Sequence, residues 1–274
     1  MALNERLKGA ARRLKQQAVP TVAEESSEAA TATDGPESVP LSVYVITRKE
    51  DFKYLPDMIA SLPLGIELNI VETKHGEDCD GPTLTHEETV NGRLVRTWEW
   101  TYTQWDFASA RNAALKTCTR EWCLWMDSDD RFQPAYHKDL LGLIAEAGAG
   151  VGGFMIGCVG YQPPYKDNER GGYYNTPHLR LHRNDKRLKW RGYAHEQIDT
   201  SIQDAGYSIS ESAIIITHVG YVTDVKALTA KMGRNVMLLC RQIAEDKEYI
   251  PAYYLNVLKN NLVTYLDMKE SSHG

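Results

Sequence analysis

Residues 106–132 read DFASARNAALKTCTREWCLWMDSDDRF, and the fold turns on how the two halves of this segment differ. The first half sets Phe107, Ala110, Ala114 and Cys118 on one helical stripe, with Asp106 placed to cap its amino end. The second half opens with EWCLWM (121–126), a continuous apolar run of the kind found in a parallel strand covered on both faces. Three carboxylates follow at once: Asp127, Asp129 and Asp130 fall within four positions. Like charges at the end of a buried strand repel one another. The stretch is therefore either an ordinary polar turn, for which aspartate is a favoured residue, or one wall of a cation site.

Upstream, the same rhythm of strand and helix recurs. LSVYVIT (41–47) is a strand of β-branched and aromatic residues. DFKYLPDMIASLP (51–63) carries Leu55, Met58, Ile59 and Leu62 at helical spacing, and GIELNIVETK (65–74) is a second strand, ending at Glu72. Residues 75–91 read as loop, and GRLVRTWEW (92–100) alternates as a third strand. This succession predicts a doubly wound α/β sheet, in which ligands bind beyond the carboxyl ends of the strands. DSDD would stand at that edge.

Downstream, LLGLIAEAG (140–148) reads as a helix and GVGGFMIGCVGY (150–161) as a strand. YQPPYKDNERGGYYNTP (161–177) reads as a long loop, with HLRLHR (178–183) and SAIIITHVGY (212–221) as later strands. Val225, Leu228, Met232, Val236, Leu239 and Ile243 repeat at three and four residues, and Pro251 opens a second helix through Tyr254, Leu258, Leu262 and Leu266. Residues 223–274 are thus expected to form a helical hairpin on a core spanning 41–222. Residues 1–18 suggest a basic amphipathic helix, with Leu3, Leu7, Ala10 and Leu14 among Arg6, Arg12, Arg13 and Lys15. It could touch an anionic membrane, associate with another helix, or simply fray in solvent. Residues 19–40, with no basic residue, have the composition of a disordered linker.

Composition excludes little but sets a frame. The 274 residues carry a net charge of −6, which leaves no overall electrostatic footprint for nucleic acid. The five cysteines, Cys79, Cys118, Cys123, Cys158 and Cys240, are odd in number and unpaired in spacing. Together with the lack of a secretory leader and of a membrane-length apolar run, they suggest a reducing, cytoplasmic setting.

The order of ARN, the apolar strand and D-x-D, followed by HLRLHRNDKRLKWRGYAHEQI and ITHVGY, resembles the nucleotide-sugar-dependent glycosyltransferases of family 2, which share the GT-A fold. The resemblance runs from about Leu41 to Tyr221. It implies a Rossmann-like mixed sheet, a Mn²⁺ or Mg²⁺ cofactor and a nucleotide-sugar donor, first of all a UDP-sugar. It also implies roles for single residues. Thr47 and Arg48 match the start of the nucleotide pocket, and Glu72 the acidic position that meets the base. Asp106 and Arg111 match the pair flanking nucleotide and diphosphate, although Asp106 has the helix cap as an alternative. Asp127 matches the carboxylate that touches ribose or metal, Asp129 and His218 match metal contacts, and Asp130 is left without a role, free to face water. Glu196, in GYAHEQI, matches the base that takes a proton from the acceptor hydroxyl in an inverting displacement.

Two departures from the family pattern stand out. ETKHGEDCDGPT (72–83) replaces the usual Asp-x-Gly-Ser stretch, and the Gln-x-x-Arg-Trp motif of processive synthases is absent. A single sugar addition is therefore expected, onto a protein or glycan hydroxyl, with a nucleic acid acceptor left open. Tyr161, Tyr165, Tyr173, Tyr174 and Trp190 offer rings for stacking on sugars. Two other readings compete. One is a catalytically silent nucleotide-sugar-binding scaffold. The other is a haloacid-dehalogenase-type phosphohydrolase, in which the first Asp is a nucleophile and Thr or Val occupies the place held here by Arg131.

Overall fold

The computed structural model describes residues 39–162, 172–220, 225–245 and 252–271. The helix expected over residues 1–18, the linker up to residue 38, and Tyr165 lie outside the described residues. Among the described residues, nine strands form one mixed sheet, and the first half is parallel at its centre. β1 (Leu41–Thr47) pairs in parallel with β2 (Glu67–His75) on one side and with β5 (Trp122–Asp127) on the other. β4 (Arg93–Tyr102) continues the parallel set beyond β2. β3 (Thr83–Val90) closes that edge antiparallel to β4.

The apolar runs are explained by burial on both faces. Within β1, Leu41, Val43 and Val45 face a core completed by Leu55, Met58 and Ile59 of helix α1 (Leu55–Ser61) and by Leu140 and Ile144 of a later helix, α3 (His137–Glu146). Tyr44 of β1 faces the opposite core. There it meets Ala108 and Ala114 of helix α2 (Phe107–Leu115), and Ile198 with Ile202 at the start of the short helix α4 (Asp199–Asp204). Side chains alternate across a strand, so a strand covered twice has no polar face to display. The small side chains of α2 let its backbone lie close to the sheet. The helix ends at Leu115, a turn short of the predicted Cys118.

The other half of the sheet is built from β7 (Val151–Gln162), β8 (Gly172–Arg183), β9 (Ser208–His218) and β6 (Asp130–Phe132), in the order β5-β8-β7-β9-β6. β8 runs antiparallel to both β5 and β7, β9 lies parallel to β7, and β6 pairs antiparallel with β9. Two stretches expected to be loop are therefore strand: Thr83–Val90, and residues 172–177 at the start of β8. Both are largely exposed and polar, so they lack the apolar signal of a buried strand.

Two long helices follow, α5 (Val225–Glu245) and α6 (Ala252–Ser271). Leu238 and Leu239 cluster with Val257 and Leu258, while a Cβ on Gly233 would stand 3.1 Å from the Tyr265 ring. Early residues of one helix thus meet late residues of the other, an antiparallel hairpin as expected. Among the described residues, no helix is long and apolar enough to cross a membrane.

Candidate active site

Strand register gathers the carboxyl-end residues. Thr47 lies beside Glu72, and Ile46 beside Asp127. The chain then turns through Ser128 and Asp129 into β6, where Asp130 faces His218 of β9. Asp127, Asp129, Asp130 and His218 each offer a ligand atom, and these atoms lie within 4.8 Å of one another. At that separation, two carboxylates repel by several kcal/mol at an effective dielectric near 20 (roughly 4 kcal/mol at 4 Å), so the balance of nearby cations decides what the cluster can do.

Two of the three aspartates are matched. Arg111 Nη2 donates to Asp127 Oδ1 at 3.1 Å, and Arg180 Nη1 donates to Asp130 Oδ2 at 2.7 Å. Burial opposes the charge on Asp127, but Arg111, Arg180 and His218 outweigh it and hold the carboxyl down at about 2. Among the described residues, Asp129 has His218, with Nε2 at 3.6 Å, and Arg131 within electrostatic range. Burial and the neighbouring Asp127 push its carboxyl up to about 6. Asp129 is the least compensated charge of the group.

Asp130 does not face water as expected. It is fully buried, and besides Arg180 it accepts from the backbone N–H of Asp127 at 2.9 Å and from His218 Nδ1 at 2.9 Å. The imidazole N–H given to Asp130 leaves Nε2 directed at Asp129, the arrangement by which a buried carboxylate orients a metal-binding histidine. The hydrogen bond to Asp130 and the nearby Asp129 raise the His218 pKa against the effect of burial. Oxygen donors with a single imidazole suit Mn²⁺ or Mg²⁺. The lone excess charge on Asp129 is one that a cation would neutralise, so the residues present fit such an ion. Asp127, Asp129 and His218 would hold it, while Asp130 braces two of them.

Arg111 ties this cluster to Glu196. Its guanidinium is buried between two indoles, 3.9 Å from the ring centre of Trp125 and 5.3 Å from that of Trp190. Nε donates to Glu196 Oε1 at 2.5 Å, and Nη1 is buried with no hydrogen-bond partner among the described residues. Burial would favour the neutral form, but Glu196 and Asp127 raise the Arg111 pKa further above its ordinary value. The loop carrying Glu196 is closed by reciprocal backbone bonds between Arg191 and Gln197, both at 2.9 Å. His195 inside it adopts φ 56°, a left-handed conformation uncommon outside glycine.

The remaining expected residues are less concentrated. Thr47 is buried at the end of β1, and Arg48 is exposed with a 3.3 Å ion pair to Asp51. Glu72 stands 3.5 Å from Lys74, which also bonds Glu99. Asp106 caps α2 with both oxygens, accepting from Ser109 N at 2.7 Å and Ser109 Oγ at 2.8 Å. Burial raises its pKa. Trp190 is not an open stacking platform: it is buried, and its indole N–H donates to Tyr44 Oη at 2.9 Å. One face still borders a cavity lined by Trp125, His178, Glu196 and Asp199.

Sequence reasoning missed Arg180 and Gly220. Arg180 stands between Leu179 and Leu181 where the pairing of β7 and β8 shifts register, so that the two leucines pack in opposite cores and simple alternation does not place it. Its guanidinium lies 3.6 Å from the Trp125 ring centre. Gly220, two residues after His218, approaches so closely that any Cβ there would collide with the Asp129 carboxylate.

Comparison with known proteins finds similarity to one family over part of the chain. A model described as glycosyl transferase family 2 matches residues 89–199. The SPbeta prophage-derived glycosyltransferase SunS of Bacillus subtilis (strain 168) and the glycosyltransferase SunS of Bacillus phage SPbeta are each 28% identical over 142 residues, covering 50% of this chain. The alignment covers 31% of either relative, so the chain spans about a third of their length. Among solved structures, S. aureus TarS 1–349 in complex with UDP-GlcNAc aligns with TM-score 0.43 at 16% identity, over 83% of this chain and 72% of that one. The mannosyltransferase PcManGT from Pyrobaculum calidifontis, in complex with GDP-Man and Mn²⁺, aligns with TM-score 0.47 at 15% identity, over 98% and 82%. The span matched by the family model holds Arg111, the aspartate cluster, Arg180 and Glu196, and His218 lies beyond it.

Proposed function

We propose that the protein is a metal-dependent, inverting glycosyltransferase that moves one sugar from a nucleotide-sugar donor, first of all a UDP-sugar, to an acceptor hydroxyl on a protein or glycan. The observation that carries this reading is the double engagement of Arg111, with Asp127 on one nitrogen and Glu196 on another. One rigid, buried guanidinium thereby sets the separation between a cation-binding cluster and a carboxylate. A bound Mn²⁺ or Mg²⁺ would offset the charge that develops on the departing diphosphate.

The chain's own residues do the rest. Asp127 and Asp129 provide the anionic floor on which the donor settles, and His218 is held in one tautomer by Asp130. The third nitrogen of Arg111 is left for a phosphate oxygen, a geometry for which arginine is well suited. Glu196 takes the proton from the acceptor hydroxyl as its oxygen attacks the anomeric carbon opposite the leaving group, which inverts the configuration. Thr47, Arg48 and Glu72, at the ends of β1 and β2, would meet the nucleoside, and Asp106 would support that wall through the cap of α2. A phosphohydrolase would need Asp127 free to attack, whereas Arg111 holds it.

The test is donor turnover with and without cation. Transfer or donor hydrolysis should vanish in EDTA and return with Mn²⁺ or Mg²⁺, and Asp129→Ala should not recover it. Full turnover by that variant, or by the metal-free protein, would overturn the metal assignment. A product that keeps the anomeric configuration of the donor would overturn the direct displacement. Binding of donor with no turnover under any condition would favour a silent scaffold.

A further inference from the structure

The C-terminal hairpin does more than cover the core. One stripe of α5, through Arg234, Leu238, Arg241, Gln242 and Glu245, faces the segments that frame the site. Arg241 lies 3.6 Å from Asp106 and donates to the Trp105 carbonyl at 3.2 Å. Gln242 Oε1 accepts from Tyr193 N at 2.9 Å, and Leu238 packs with Ala194, next to His195 and Glu196. Each of these has a partner that explains it. Arg234, one turn earlier, does not.

The Arg234 guanidinium lies over Trp105 and Phe107, 5.8 and 5.2 Å from their ring centres. Its Nε is buried with no hydrogen-bond partner among the described residues, and Nη2 reaches only its neighbour Asn235 Oδ1, at 3.3 Å. It also lies within electrostatic range of Arg48, Asp51 and Glu196; burial first, and then Arg48, lower its pKa. The helix therefore brings a half-buried cation towards another cation at the carboxyl end of β1, on the side of the site that holds Glu196. Among the described residues, Arg48 has its exposed pair with Asp51, and Arg111 Nη1 is likewise buried and unmatched. Unsatisfied buried donors cost folding free energy, and so do like charges held near each other. An anion placed between Arg234 and Arg48, on the side of Arg111 and Glu196, would offset both.

We propose that Arg234 binds the diphosphate of the donor together with Arg48 and Arg111, making α5 one wall of the donor site. The inference rests on the nucleotide-sugar reading above. Its test is the affinity of the full chain for UDP, GDP and ADP, each with Mn²⁺, in the wild type and in Arg234→Gln and Arg234→Lys, alongside the melting temperature of each ligand-free protein. Arg234→Gln should weaken diphosphate binding by about ten- to a hundred-fold, the span expected for one hydrogen bond to a charged group. Its ligand-free melting temperature should not fall, and Arg234→Lys should recover part of the affinity.

Unchanged affinity in Arg234→Gln overturns the assignment and leaves the donor reading intact. A loss that lysine does not rescue, accompanied by a lower ligand-free melting temperature, assigns Arg234 to packing and also overturns it. Failure of the wild type to bind any of the three diphosphates removes the donor reading itself, and this proposal with it.

Discussion

The two ends of the same sheet treat a buried carboxylate in opposite ways. At the amino end, Glu67 is fully buried and surrounded by donors. Ser42 Oγ reaches it at 2.8 Å, Asn69 Nδ2 at 2.7 Å, Thr119 N at 3.0 Å and Arg96 Nη1 at 3.0 Å, and the Thr119 hydroxyl joins them. Burial opposes its charge, but these hydrogen bonds prevail and lower its pKa. At the carboxyl end, Asp129 is displaced the other way, up to about 6. The first carboxylate is satisfied by the fold alone. The second is left with less compensation than the fold gives the first. Incomplete satisfaction, more than burial, distinguishes the site from the scaffold.

This contrast can be broken in four ways. The largest effect is expected from Glu196→Gln, which should lower transfer by about 10²–10⁴-fold, the range for loss of a general base. Donor affinity should stay within about twofold, as measured by calorimetry. Next, Glu67→Ala should cost about 3–5 kcal/mol of folding free energy, because it leaves Arg96 and several buried donors without a partner. Turnover per folded molecule should persist, and a stability loss below about 1 kcal/mol in urea melts would show that the amino end is not the self-sufficient structure described.

The third effect concerns pH. His182 is fully buried and held neutral, its Nε2 bonded to Tyr44 Oη at 2.9 Å and its Nδ1 to the Arg183 carbonyl at 2.8 Å. Burial lowers its pKa to about 4 from 6.5. As pH falls below 6.5, the unfolded chain takes up this proton before the folded one does. The stabilisation is thus complete above that value and lost progressively towards 4. Stability should drop by about 2 kcal/mol from this residue between pH 7 and pH 5, and His182→Gln should flatten that slope in denaturation curves. The smallest effect is Asp129→Asn in EDTA, which should raise folding stability at pH 7 by about 1 kcal/mol through relief of repulsion. A decrease would mean that Asp129 is compensated without a cation.

The amino acid pattern revealed the buried half of the sheet better than the open half. β1 and β5 are near-continuous apolar runs and β2 carries Leu68, Ile70 and Val71, and that signal is local. Thr83–Val90 forms the edge strand on polar residues, and β6 is three residues long, so both depend on partners distant in the chain. The candidate site divides in the same way. D-x-D and Glu196 lie in segments whose family likeness is visible. Asp130 acquires its role from Arg180, 50 residues away, and His218, 88 residues away. The oxygens of Asp106 are occupied by Ser109, three positions on, and the helix cap was legible from that neighbourhood alone.

The bond between Asn261 Nδ2 and His195 Nε2, at 3.4 Å, joins α6 to the loop that carries Glu196. With Gln242 holding Tyr193, it ties that loop to both C-terminal helices. Every strand of the sheet is made before residue 242, yet the loop gains its last two supports only from helices synthesised after the sheet. The aspartate cluster thus draws on chain before residue 219, whereas the Glu196 loop, held by Arg111 and by the Arg191–Gln197 pair, is braced as well by the two helices that follow.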